Sequence, residues 1–232
     1  MDEKILEWLL EEDTPEVRLR TLKEYLKLSD DDTKVIECKN KLLQSKVYER
    51  ALKKLEKEKP WAKFDAIMAF AEWGLTRADI GSDIDEEVFS LIQSTGFKML
   101  CGEPYLLRNL VKLGYYQVDI VKEEIGCMLG RIKEDGEFGC ISSNKKTNDP
   151  KKPHKSCARL TVEYLLLVAE LHLLGIECEC ESALVHYFTK RNIFYRTDNI
   201  EAPMVDVMLE TFYPSDPIKV GVQNIVYALR VL

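Results

Sequence analysis

The sequence predicts an all-α fold of helical hairpins arranged around a central cavity, and three observations carry that expectation. Only 8 prolines and 11 glycines occur in 232 residues, and they fall between periodic segments. Val, Ile and Thr never sustain an alternating strand pattern for more than a few positions. From Trp61 onward a two-helix unit recurs with a period of about 45 residues.

The elements follow in order. Ile5, Leu6, Trp8, Leu9 and Leu10 predict a short first helix. Asp13-Thr14-Pro15 supplies a cap and an early helical proline for a second, which is expected to run to about Leu28. The Ser29-Asp30-Asp31-Asp32-Thr33 turn opens another, and a lysine- and glutamate-rich stretch ends near Pro60. The first members of the repeat are Phe64 to Leu75, Tyr105 to Leu113, Ala158 to Leu174 and Pro203 to Phe212. Their apolar residues go most of the way round, as in TVEYLLLVAELHLL, so they should be buried on several sides. The second members, Glu86 to Ser94, Val118 to Ile132, Ser182 to Lys190 and Ile218 to Leu232, are one-sided. Val121, Ile125, Met128, Leu129 and Ile132 make one stripe, with Lys122, Glu123, Glu124 and Arg131 largely away from it. Inner and outer layers are the expectation. Residues 1–60 then form N-terminal helices packed on the hairpins of residues 61–232, in a single structural domain. About five helix pairs suffice to close a small or incomplete ring, although an open solenoid uses the same pattern.

Composition narrows the function classes. A hydrophobic content of 46% supports a real core. The net charge of -7, without long acidic or basic blocks, argues against a nucleic-acid surface, which needs clustered Lys and Arg. The start MDEKILEWLLEEDTPEVRLR has no secretory signal pattern, and no segment approaches the roughly 20 apolar residues of a membrane span. Seven irregularly spaced cysteines read as reduced thiols or metal ligands, so a cytoplasmic protein is expected. A Gly-rich phosphate loop, a nucleotide fingerprint, an HExxH helix and a Ser-centred elbow are all missing, so no nucleotide cofactor is expected.

The Gly-aromatic turn EDGEFG at 134–139, and more faintly QSTGF at 93–97, resembles a degenerate Gln-and-Trp repeat of the terpenoid cyclases. The spacing of inner and outer helices resembles the α/α toroid shared by those cyclases and the protein prenyltransferase β subunits. WLLEEDTPEVRLRTL, MLCGEPYLLRNLVKLG and NIEAPMVDVMLETF resemble a bacterial and archaeal branch of toroid-like proteins. The resemblance implies an α/α toroid and, if the chain is an enzyme, a diverged transferase- or cyclase-like one. Departures limit it. The family turn has Gln four residues before Gly and Trp two after, where Ile132 and Phe138 stand here. No inner helix carries the Asp-rich protonating motif, and Asp30-Asp31-Asp32 reads as a capped, solvated linker turn. The resemblance also implies a catalytic zinc, but the Asp-x-Cys and distant His pattern is absent, so those roles are not carried over.

Two constellations carry possible chemistry. Cys101, Cys140, His154 and Cys157 sit near the starts of the second and third inner helices. In a toroid they would share one end, where three thiolates and an imidazole suit tetrahedral zinc. Such a saturated set is structural and would hold residues 141–156 over the ring; the alternative is a small core thiol, two free thiols and an exposed histidine. Asp65, Arg108, Arg159 and Asp206 each interrupt an inner helix about one turn from its start. They could bind a phosphate, diphosphate or carboxylate whose hydrocarbon tail enters the apolar cavity. Alternatively they are ion pairs, Arg108 with Glu103 and Arg159 with Asp206. Glu163, Tyr164 and His172 share the third inner helix, where Tyr164 and His172 read as packed core or as acid–base groups. Cys178-Glu-Cys180 reads as two surface thiols in the following turn, and Met99, Met204 and Met208 as core packing.

The leading expectation is a small amphipathic or anionic ligand in a central pocket. A HEAT-like interaction scaffold without catalytic activity competes with it, because EDTPEVRLRTL partly matches the Asp-Pro-Val-Arg opening of such helices. In that case the charged positions would form ladders between repeats.

Overall fold

The structure, a computed structural model, describes residues 3–93, 102–138, 158–191 and 222–232. All regular elements among them are helical: α1 (Glu3–Leu9), α2 (Pro15–Arg20), α3 (Thr33–Leu43), α4 (Lys46–Leu55), α5 (Pro60–Glu72), α6 (Arg77–Ile80), α7 (Asp85–Gln93), α8 (Gly102–Lys112), α9 (Asp119–Leu129), α10 (Ala158–Leu173), α11 (Glu181–Lys190) and α12 (Val222–Val231). No helix among the described residues is long and apolar enough to cross a membrane.

The alternation of burial follows the sequence pattern. In α10 every residue from Leu160 to Ala169 is buried, including Thr161 and Glu163, and α8 is buried on almost all sides. By contrast α9 and α11 bury one face each, Val121, Ile125 and Met128 in the first and Leu184, Tyr187 and Phe188 in the second. Glu124 is an exception to the expected stripe: it lies on the buried face of α9, while Leu129 is only half-buried. The phase explains the first, since Glu124 follows Val121 by three positions and precedes Met128 by four, which sets it on the same helical face. The fourth inner helix expected at Pro203 to Phe212 lies outside the described residues.

Contacts divide the chain into two units, residues 1–91 with 112–115, and residues 92–111 with 116–232. In the first, α2 packs on α3 and α4 on α5 around Leu19, Leu42, Phe64, Ile67 and Phe70. Asp32 caps α3 by accepting a hydrogen bond from the Lys34 backbone N–H at 2.8 Å, as the Asp-rich turn suggests. That turn is more than solvated, because Asp30 pairs with Lys39 at 2.8 Å and with Lys23 at 3.0 Å. Helix α2 ends earlier than expected, in a π-helical turn over Thr21–Tyr25. Lys27 then takes a φ of 56°, which stops propagation before Leu28.

Helix α6 has no counterpart in the sequence expectation. Thr76 and Asp79 close a capping box around its start, and Arg77, its first residue, then reaches Asp85 with two guanidinium N–H bonds. The Tyr115 hydroxyl donates to the same carboxylate at 2.6 Å. Chiefly because of the Arg77 hydrogen bond, the Asp85 carboxyl is held below its ordinary range. A depressed folded-state pKa contributes stability that is full above the unfolded carboxylate value, about pH 4, and is lost as pH falls through the folded value. Asp85→Asn is therefore expected to lower stability at neutral pH and to flatten the acid limb below about pH 4, read from urea midpoints across pH.

In the second unit α10 packs against α11 and α12. The Gly-aromatic turn between α9 and α10 is tied to this core. Phe138 is buried and its ring lies 4.5 Å from that of Tyr164 on α10. Buried Gly136 takes a φ of 77° and presses on the backbone of Ala183 in α11. Glu137 pairs with Arg191 at 3.3 Å, and that guanidinium stacks 3.8 Å over Tyr187.

Candidate functional site

The second unit holds a buried polar cluster and, at its surface, an open groove. The cluster begins with Glu103 in the first turn of α8, where a carboxylate is favoured by the exposed N–H groups of the helix start. It is 3% exposed and lies 3.5 Å from Arg131, in the turn after α9. Arg108, further along α8, lies 3.5 Å from Glu163 on α10 and 5.4 Å over the ring of Tyr105. Arg108 thus behaves as an ion-pair residue, with a partner other than the expected Glu103. Five positions on one helix put two side chains about 140° apart, so Arg108 and Glu103 cannot face each other.

Tyr164 is fully buried beside the Glu103–Arg131 pair, and its hydroxyl has no hydrogen-bond partner among the described residues. Burial raises its pKa first, the Glu103 charge adds to the rise, and Arg131 opposes it. The phenol therefore stays protonated and offers a proton donor, not a base. His172, expected in the core, instead sits at the end of α10 with its side chain 40% exposed, and its Nδ1 is 3.1 Å from Glu181 Oε2.

Of the remaining members of the anion constellation, Asp65 alone has a side chain among the described residues. Asp65 belongs to the first unit, on α5, where it pairs with Lys54 of α4 at 3.2 Å with both side chains 44% exposed. Arg159 falls within α10 but its side chain lies outside the described residues, as does the whole of Asp206. Cys101, Cys140, His154 and Cys157 also lie outside them. Among the described residues no three His, Cys, Asp or Glu side chains converge as a metal-binding group.

The groove was not anticipated. It encloses about 1230 Å³ between α9, the turn after it, and the connection from α10 into α11. Ile125, Leu129, Ile132, Leu171, Leu174 and Ile176 supply apolar walls, and Lys122, Glu134 and Glu177 stand among its charged groups. Its depth comes from Gly126 on α9, where an added Cβ would meet nothing within 4 Å. The available signal was the pair Gly126 and Gly130, four apart on one helix face, which leaves a gap in an otherwise amphipathic surface.

At one end of the groove stand Cys178 and Cys180, both half-buried free thiols. Burial, with smaller contributions from the charges of Cys180 and Glu181, pushes Cys178 up to about 11. Burial likewise raises Cys180. Neither is a thiolate nucleophile at neutral pH. Comparison with protein-family models, curated proteins and solved structures finds no match to this chain.

Proposed function

We propose that the second unit binds a small amphipathic molecule in the groove between α9 and the α10–α11 connection. The observation that supports this reading is the groove itself, an open volume with six aliphatic wall residues and charges of both signs among its lining groups. Leu129, Ile132 and Ile176 are only half-buried and Leu174 is 45% exposed, so a hydrocarbon body would remove apolar surface from water. Each buried methylene contributes about 0.8 kcal/mol before ordering costs, so affinity is expected to rise with the length of the hydrocarbon chain. Lys122 and Lys133 offer partners to an anionic end.

The test uses dansyl-undecanoic acid, a fluorescent fatty-acid analogue, with the parent chain and Gly126→Leu. Leucine at 126 would enter open space, and replacing a helical glycine gains roughly 0.8 kcal/mol of helix propensity. The expected outcome is saturable binding to the parent, weakened about tenfold or more in Gly126→Leu, with an unchanged or raised melting temperature. Equal affinity in the two chains would place the probe elsewhere.

The wider reading is an α/α toroid related to the terpenoid cyclases and protein prenyltransferase β subunits. Its support is the alternation of helices buried on most sides, α8 and α10, with one-sided α9 and α11. A zinc ion on Cys101, Cys140, His154 and Cys157 belongs to the same reading and rests on their residue chemistry alone. The HEAT-like scaffold has its own support in the first unit. Lys39 bridges Asp30 and Asp79, and Glu72 accepts from both Arg20 and Lys112, as a ladder between repeats would. Ile5 and Trp8 on α1 are 48% and 62% exposed, as a partner-binding helix would present them. Small-angle scattering separates the two, since a closed ring has a smaller radius of gyration than an open solenoid of equal mass.

A further inference from the structure

Cys178 and Cys180 are two thiols separated by one residue, in the short connection that Gly175, with a φ of 74°, turns back from α10 toward α11. Both line the groove, neither is in a disulfide, and both are half-buried yet reachable through the groove's opening. The two are neighbours both along the chain and in the lining of the groove. The carboxylates of Glu177 and Glu179 line the same end and favour entry of a cation.

This arrangement is poor for the commoner metals. Tetrahedral zinc wants four ligands of the Cys and His type, and magnesium or calcium want six or more oxygens. No group of three ligating side chains converges among the described residues. Two soft sulfur ligands without a third are the set for a soft d10 ion that accepts two-fold coordination, and thiolate ligands select copper(I) among biological metals.

We propose that Cys178 and Cys180 form a two-thiolate site for copper(I) at the end wall of the groove. The site does not depend on the amphipathic ligand. Binding breaks two S–H bonds and forms two Cu–S bonds. The two protons leave to solvent, the complex carries one net negative charge, and no electron is transferred. Because both thiols are protonated beforehand, the pair stays inert until a thiophilic ion displaces its protons.

The experiment titrates the reduced chain anaerobically with copper(I) in the presence of the chelator bicinchoninate, and counts the ions the protein retains. The parent is compared with Cys178→Ser, Cys180→Ser and, as a control, Cys127→Ser, which alters an exposed thiol that does not line the groove. Circular dichroism of each variant confirms that its helices persist. The count is expected to fall by one copper(I) in each of the first two variants and to remain at the parental value in the third. An unchanged count in folded Cys178→Ser or Cys180→Ser overturns the site. Loss in only one of the two also overturns it, because a single sulfur would then be holding the ion.

Discussion

Replacing Gly136 by alanine is expected to cost the second unit roughly 3–5 kcal/mol, the largest effect of an added methyl group at any glycine among the described residues. Two penalties coincide at this position. The φ of 77° lies in the left-handed region, which costs an L-residue about 1–2 kcal/mol. The added Cβ would also run into the carbonyl oxygen of Ala183 and stand 2.8 Å from both the Ala183 carbonyl carbon and Tyr187 Cβ. These are helix backbone and a buried core residue, so neither can give way cheaply. Gly175→Ala isolates the first penalty, since its φ is 74° but its Cβ would meet nothing within 4 Å. That variant should lose only about 1–2 kcal/mol. Urea denaturation of the two chains checks the difference, and equal losses would mean that the turn does not press on α11.

Arg108→Met is expected to destabilise by about 1–3 kcal/mol, because it removes a cation 3.5 Å from the buried carboxylate of Glu163. Glu163 has a side chain only 2% exposed, and Arg108 is 12% exposed. Adding Glu163→Gln to Arg108→Met should recover part of that loss, since the amide removes a buried negative charge while keeping the shape. The double-mutant cycle in urea reads the coupling directly. A loss below about 1 kcal/mol for Arg108→Met would mean that its pairing to Glu163 is incidental to folding.

The helices were legible because their information is local. The all-round apolar pattern of TVEYLLLVAELHLL became α10, buried throughout from Leu160 to Ala169, and the one-sided patterns became α9 and α11. The Asp32 cap and the α10–α11 turn with its two cysteines likewise followed from residues near one another in the chain. What escaped depended on phase or on neighbours far away in sequence. The exchange of partners between Glu103 and Arg108 needs the packing of α8 against Arg131 and Glu163, which spacing does not contain. Glu124 looked polar and therefore external, yet its helical phase buried it. The groove escaped for a different reason: it is defined by side chains that Gly126 and Gly130 lack, and sequence patterns register what is present more readily than what is missing. His172 was read as core from its place in an apolar run, but it falls in the last turn of α10, where the helix has already reached the surface.

The central claim is that an amphipathic molecule occupies the groove of the second unit, and methyl-resolved NMR during titration with dansyl-undecanoic acid tests it most directly. The account predicts shifts confined to the methyl groups of Ile125, Leu129, Ile132, Leu171, Leu174 and Ile176, with Leu19, Leu42 and Ile67 of the first unit unmoved. Shifts centred on residues outside the groove, or a spectrum unchanged at saturating probe, would contradict it.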